Sequence, residues 1–201
     1  MATGKNVIVL FANVPEEVLI NSEADQLVKM RRKGSMVHIA AAGDVKVEAL
    51  AGAPTGQSLA DAAKEGGYVV EPIAPASELS IVEDIADEAV LLAEIDKAFA
   101  LASTKMLLVV VTKTCALFYG LGIERGVIIE TPVPAACIAP TLAWIGDLPL
   151  PAQVEAAPLY KIIKGLNYKA KEIAKLRDSI AALELKIERD NRKPWDKHDC
   201  A

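Results

Sequence analysis

Three polar clusters in this chain carry side chains capable of chemistry. Asn13 directly follows an apolar run, NVIVLFA, at 6–12. Thr55 and Ser58 punctuate the loop AGAPTGQS at 51–58. Thr112, Lys113 and Thr114 close a second apolar run, KMLLVVVT, at 105–112. A hydroxyl becomes a nucleophile only when a neighbouring base or metal ion activates it, and a lysine ammonium offers a point charge to an anion. The 51–58 loop could cradle an anion with backbone N–H groups at a helix start, although it matches neither the P-loop nor the G-x-G-x-x-G pattern. Thr55 and Ser58 equally suit helix capping, and Ser58 and Asp61 stand at the spacing of a weak capping box. Lys113 is open either to an anionic ligand or to an ion pair with one of the 27 acidic residues.

Other reactive types read more plainly. Cys115 follows the second apolar run, where open α/β sheets usually bind ligands. It has no dependable histidine partner and is expected as a small buried residue. His38, in VHIAA, is expected as a hydrogen-bonded histidine of the core or its rim. Asp196, His198, Asp199 and Cys200 group possible metal ligands in the terminal stretch, where a polar tail is expected. The Gly-rich segment Gly120–Gly126 leads into a strand and reads as a turn.

The elements that must position these groups alternate between strand and helix. Strands are expected at 6–12, 35–42, 68–73, 105–112 and 126–130. Helices are expected at 16–32, from Ser58 to the Gly66-Gly67 stop, and from Ser80 or Ile81 to Ala102. Pro140 suits a helix's first turn and Gly146 its end. The alternation predicts an α/β fold: a mostly parallel sheet with helices on both faces, plus a long C-terminal helix. The expected organisation is an α/β core at 1–157, a helix at 158–192 and a polar tail at 193–201.

Bulk properties narrow the classes. The chain has 201 residues, 52% of them apolar and 24% charged, which is globular composition. No apolar run is long enough to span a membrane. Residues 1–160 hold 11 basic and 20 acidic residues (−9), and residues 161–201 hold 11 and 7 (+4). That acidic body argues against nucleic-acid binding. The start, MATGKNVIVLFANVPEE, has no signal-peptide pattern, and Cys115, Cys137 and Cys200 form an odd, unpatterned set. A cytoplasmic, reducing setting is the expectation.

Leu159, Ile162, Leu166, Lys169, Ile173, Leu176, Ile180, Leu183 and Ile187 recur at alternating spacings of three and four. This is a heptad seam with one polar interruption at Lys169. It predicts either an amphipathic helix docked on its own domain or a homo-oligomer formed through residues 159–187. The narrow stripe favours the second.

The stretch RGVIIETPVPAACIAPTLAWIGDLPLP, at 125–151, resembles the closing segment of the alkaline phosphatase superfamily, where a "DIAPTLA" helix and a "GLPLP" exit follow the last metal-binding strand. Weaker resemblances run in the same order through most of residues 5–157. NSEADQLVKMRRKG at 21–34 is similar to the "TPNLDRLAAEG" helix. LAGAPTGQSLADAAKEGGY at 50–68 is similar to "LLTG … TLAEALKEAGY". LLVVVTKTCA at 107–116 stands where the family has "VVVTSDHG". The family's long middle and large cap are largely missing.

The resemblance implies two metal ions, usually zinc or manganese, held by carboxylates and imidazoles around a Thr, Ser or formylglycine nucleophile. Position by position, the implied ligands are not there. Asn13 stands nearest the first carboxylate, and Lys113-Thr114 replace the Asp-His pair. The chain has two histidines in all. The expectation is therefore a non-catalytic relative without cofactors, self-associating or binding a partner through its C-terminal helix. Two alternatives stay open. One is a rewired phosphate- or sulfate-ester hydrolase, using zinc or manganese or neither. The other is a module for a small anionic ligand at Asn13, Thr55, Ser58, Thr112, Lys113 and Thr114.

Overall fold

The computed structural model describes residues 4–101 and 103–191, apart from the side chains of 167–174 and 189–191. Among the described residues six strands form one sheet: β1 (Asn6–Ala12), β2 (Ser35–Ala40), β3 (Leu79–Ile85), β4 (Met106–Val111), β5 (Cys115–Gly120) and β6 (Ile128–Pro134). Their order is β3-β1-β4-β5-β2-β6. β1 runs parallel to β3 and β4, and β2 runs parallel to β6, while β5 is antiparallel to both β4 and β2. The sheet is thus mostly parallel, as its apolar runs predict. Every residue of β1 and β4 is buried, as expected of parallel strands covered on both faces.

The helices are α1 (Glu16–Asn21), α2 (Asp25–Lys33), α3 (Val45–Ala51), α4 (Leu59–Glu65), α5 (Glu88–Ala100), α6 (Ile138–Gly146) and α7 (Leu166–Asn191). On one face of the sheet, Ile8, Leu10, Leu108, Val110 and Leu117 pack against Leu19, Leu27, Met30, Leu91 and Ile95 of α1, α2 and α5. On the other, α6 lies against β1 and α3 lies against α6. Among the described residues no helix is long and apolar enough to cross a membrane.

Several boundaries depart from the sequence reading. The strand expected at 68–73 reduces to one bridge, Val70 to Leu79. The third strand is instead Leu79–Ile85, the segment expected to open the helix ending near Ala102. The apolar residues Ile81, Ile85 and Ile95 can be aligned on a helical face across that junction. Asp87 interrupts it by capping α5, its side chain accepting from the Val90 N–H at 2.9 Å. The helix expected at 16–32 is two helices. Between them the Ser22 hydroxyl accepts from the Ala24 N–H at 3.2 Å and donates to Glu88 at 2.5 Å, a local alternative to helical bonding. α3 and β5 are elements the sequence reading left unassigned, and β6 overlaps the strand expected at 126–130 and extends it to Pro134.

Gly34, between α2 and β2, shows why the chain turns where it does. A Cβ there would stand 2.1 Å from the Phe118 carbonyl oxygen and 2.7 Å from that of Met30. Only glycine lets these backbones approach so closely.

The chain divides into two compact units, Met1–Lys164 and Gly165–Ala201. The break falls after the expected boundary at 157 because the residues just beyond it complete the first unit. Leu159, Ile162 and Ile163 are buried, and Ile163 bridges Ile123. The first two positions of the heptad series therefore serve the core. Among the described residues the second unit is α7, which opens after Gly165, itself in a left-handed conformation (φ 81°).

Candidate functional site at the carboxyl edge of the sheet

Because β1, β2, β3 and β4 are parallel, their C-terminal ends open on one edge, the usual ligand edge of an α/β sheet. There β1 ends at Ala12 and releases Asn13. β4 ends at Val111 and turns through Thr112, Lys113 and Thr114 into β5. The chain after β2 delivers Asp44, the residue that caps α3 by accepting from the Lys46 N–H at 2.8 Å. At the end of β3, two steps along β1 (Leu10 to Ala12) face three along β3 (Val82 to Ile85). This bulge holds Asp84 in the left-handed region, φ 60°. These segments line a cleft of about 240 Å³ that includes Asn13, Asp44, Lys46, Asp84, Thr112 and Lys113.

The cleft carries both signs of charge. Lys46 donates to Glu83 at 2.8 Å. That bond raises the lysine's pKa, burial opposes the rise, and Glu83, Asp84 and Asp44 add to it through their charges. Among the described residues Lys113 forms no ion pair, so it is the cation here still open to an anion.

The residues singled out from the sequence separate into groups. Asn13, Thr112 and Lys113 share the cleft. Thr112 is buried, and its hydroxyl donates to the Cys115 carbonyl and accepts from the Cys115 N–H, both at 3.1 Å. It closes the β4–β5 turn. Thr114 donates to Glu16, which ties the same turn to α1. Ser58 caps α4, accepting from the Asp61 N–H at 3.2 Å and donating to the Asp61 carboxylate at 2.8 Å. Thr55 is exposed in the loop before it. Neither Thr55 nor Ser58 lines the cleft.

Cys115 is fully buried, and desolvation, helped by the charge of Glu16, pushes its thiol up to about 12. His38 is half-buried in β2, opposite Cys115. Asp196, His198, Asp199 and Cys200 lie outside the described residues. Among the described residues, no three or more His, Cys, Asp or Glu side chains gather as a metal site would need. Sequence reasoning missed Asp44, Lys46 and Asp84. The pair Gly43-Asp44 after a strand was a usable capping signal, whereas Asp84 was hidden by reading its segment as helix.

The stretch that carries the resemblance has a packing role throughout. Every residue of α6 except Trp144 is buried. Pro140 sits in its first turn, and the left-handed stop is Asp147 (φ 55°) rather than Gly146. A Cβ on Gly146 would stand 2.5 Å from Val7 of β1, so this glycine permits close helix–sheet contact. Thr141 donates to the Cys137 carbonyl at 2.6 Å and accepts from the Leu159 N–H at 2.8 Å, which ties the returning chain to α6.

No family model matches the chain, and no curated protein does. Among solved structures, a protein in the alkaline phosphatase superfamily from Vibrio parahaemolyticus is similar at 12% identity and a TM-score of 0.54, over 77% of this chain and 69% of that one. The fold is that of the alkaline phosphatase superfamily. At this identity the likeness speaks for the alkaline phosphatase-like architecture alone.

Proposed function

We propose that the protein is a non-catalytic bearer of the alkaline phosphatase fold that pairs with a second copy of itself through α7. The observation that carries this reading is the seam on α7. Leu176, Ile180, Leu183 and Ile187 keep heptad spacing and are 62%, 56%, 57% and 61% exposed in the single chain. In heptad terms Ile180 and Ile187 fall at a, and Leu176 and Leu183 fall at d. Isoleucine at a with leucine at d favours two parallel strands. Each such side chain contributes about 1.5–3 kcal/mol when fully buried, so four from each copy are enough to hold a dimer.

The cleft supports the non-catalytic half of the reading. A two-metal centre draws on carboxylates and neutral imidazoles. Here Asp44 and Asp84 are joined by the Asn13 amide and by the ammonium groups of Lys46 and Lys113. The Lys113 ammonium, without an ion pair among the described residues, opposes a cation there, and no imidazole lines the cleft. Ser58, spent on capping and on Asp61, is not poised as a nucleophile.

The test combines mass in solution with metal analysis and an ester assay. The expected outcome is a dimer that becomes a monomer when residues 166–201 are deleted. It retains no stoichiometric zinc or manganese and does not hydrolyse p-nitrophenyl phosphate or sulfate. A monomeric full-length chain sinks the association. Two bound metal ions together with ester hydrolysis sink the non-catalytic reading. A second reading, capture of a small anion by Lys113, rests on that lysine's lack of an ion pair; it requires phosphate to raise the Tm of the wild type and not of Lys113→Ala.

A further inference from the structure

A second recess lies at the same sheet edge, beyond the cleft, where β2 and β6 end. It measures about 620 Å³ and is walled by Ala41, Ala53, Pro54, Pro132 and Pro134. That volume falls within the roughly 300–1,000 Å³ of small-molecule sites. Alanine and proline have few or no rotamers to lose, so the wall is preorganised. The ionisable groups in it are both carboxylates, Glu48 and Glu155.

Glu48 is unusual. It sits on α3 and is 4% exposed. One of its oxygens, Oε1, accepts from the Gly43 N–H at 2.7 Å. Among the described residues no basic side chain pairs with it. Its other oxygen, Oε2, has no protein partner there, yet no sealed side-chain oxygen among the described residues lacks a partner. Oε2 is therefore accessible, and the recess is the space that Glu48 lines. Buried carboxylates are normally paired or hydrogen-bonded to capacity, and this one keeps half its acceptor capacity uncommitted.

We propose that this recess binds a small organic ammonium ion, with its apolar body on the alanine–proline wall and its N–H groups donating to Glu48 Oε2. Glu155, exposed at the rim, adds attraction for a cation. An ammonium fits better than a guanidinium, because a guanidinium fork seeks both carboxylate oxygens and Oε1 is already engaged. It fits better than a hard metal ion, which needs six or more oxygen ligands that a carbon-rich wall does not supply. The proposal does not depend on association through α7.

The experiment is calorimetric titration of the full-length protein with cyclohexylammonium chloride, cyclohexanol and sodium cyclohexanecarboxylate, repeated on Glu48→Gln. Glutamine keeps an acceptor for the Gly43 N–H, so the variant retains the local bond. The expected result is saturable binding of the ammonium, at least tenfold weaker binding of the other two probes, and at least a tenfold loss of ammonium affinity in Glu48→Gln. Ala156→Phe, which narrows the recess from its rim, is expected to lose binding as well and serves if the first variant does not fold. No ammonium binding, equal binding of cyclohexanol, or undiminished affinity in a folded variant overturns the proposal.

Discussion

Cys115 shows how position in a sheet decides what a reactive residue can do. It follows the β4 turn, at the edge where ligands are normally met, yet it is fully buried and lies within reach of the charge on Glu16. Desolvation is the larger cause of its shift, from the ordinary 9.0 to about 12. A thiol whose pKa is raised in the folded state stabilises the fold at pH values below the unfolded pKa. That contribution fades as pH climbs through the folded one. Two outcomes follow for the native protein. At pH 8 iodoacetamide should leave Cys115 unmodified while the fold persists, read by peptide mass. Cys115→Ser should flatten the loss of stability between pH 9 and pH 12, read from denaturant midpoints. Rapid native alkylation at pH 8 would show that this thiol is ionised and reachable. The sequence already pointed to a small buried cysteine, and it stays so although β2 places His38 opposite it. By contrast Thr112 and Thr114 looked like site residues because they close an apolar strand at the edge where ligands are met. Their hydroxyls are committed to Cys115 and Glu16, contacts made by a turn and a neighbouring helix that spacing cannot reveal.

At the scale of elements, the strands with continuous apolar runs were legible and the mixed ones were not. β1 and β4 announce themselves because parallel central strands are buried on both faces. β3, reading LSIVEDI, carries acidic residues and a bulge, and its apolar spacing merges into that of α5. β5 is shielded from recognition by the polar turn before it and the glycine turn after it. α6 is the element whose sequence says most about its role. Its Thr141 is fully buried and serves as both donor and acceptor between Cys137 and Leu159. Replacing it by valine keeps the shape and removes the acceptor for the Leu159 N–H. An unsatisfied buried donor costs about 1–3 kcal/mol, so Thr141→Val should lower stability by that amount in urea unfolding. Thr141→Ser, which keeps the hydroxyl, should lose less. Equal losses in the two variants would mean that the methyl group, not the hydrogen bonds, carries the contribution.

For the whole molecule, one long helix forms a compact unit of its own and presents leucines and isoleucines to solvent. A contiguous exposed apolar stripe of this kind marks a surface that an occupant covers. The heptad spacing supplies a way to tell a specific seam from general stickiness. Leu185 is also exposed, at 68%, but it falls at f, on the side of the helix away from a and d. If two copies pair along the seam, Ile180→Lys should convert the dimer to monomer at micromolar concentration, because a lysine at a would be buried against its symmetry mate. Leu185→Lys should leave the mass unchanged, since f remains in water. Leu183→Lys, at d, should behave like the first. Sedimentation velocity separates the cases. If all three variants dissociate alike, or if none does, the association does not follow the heptad seam and α7 must use another surface.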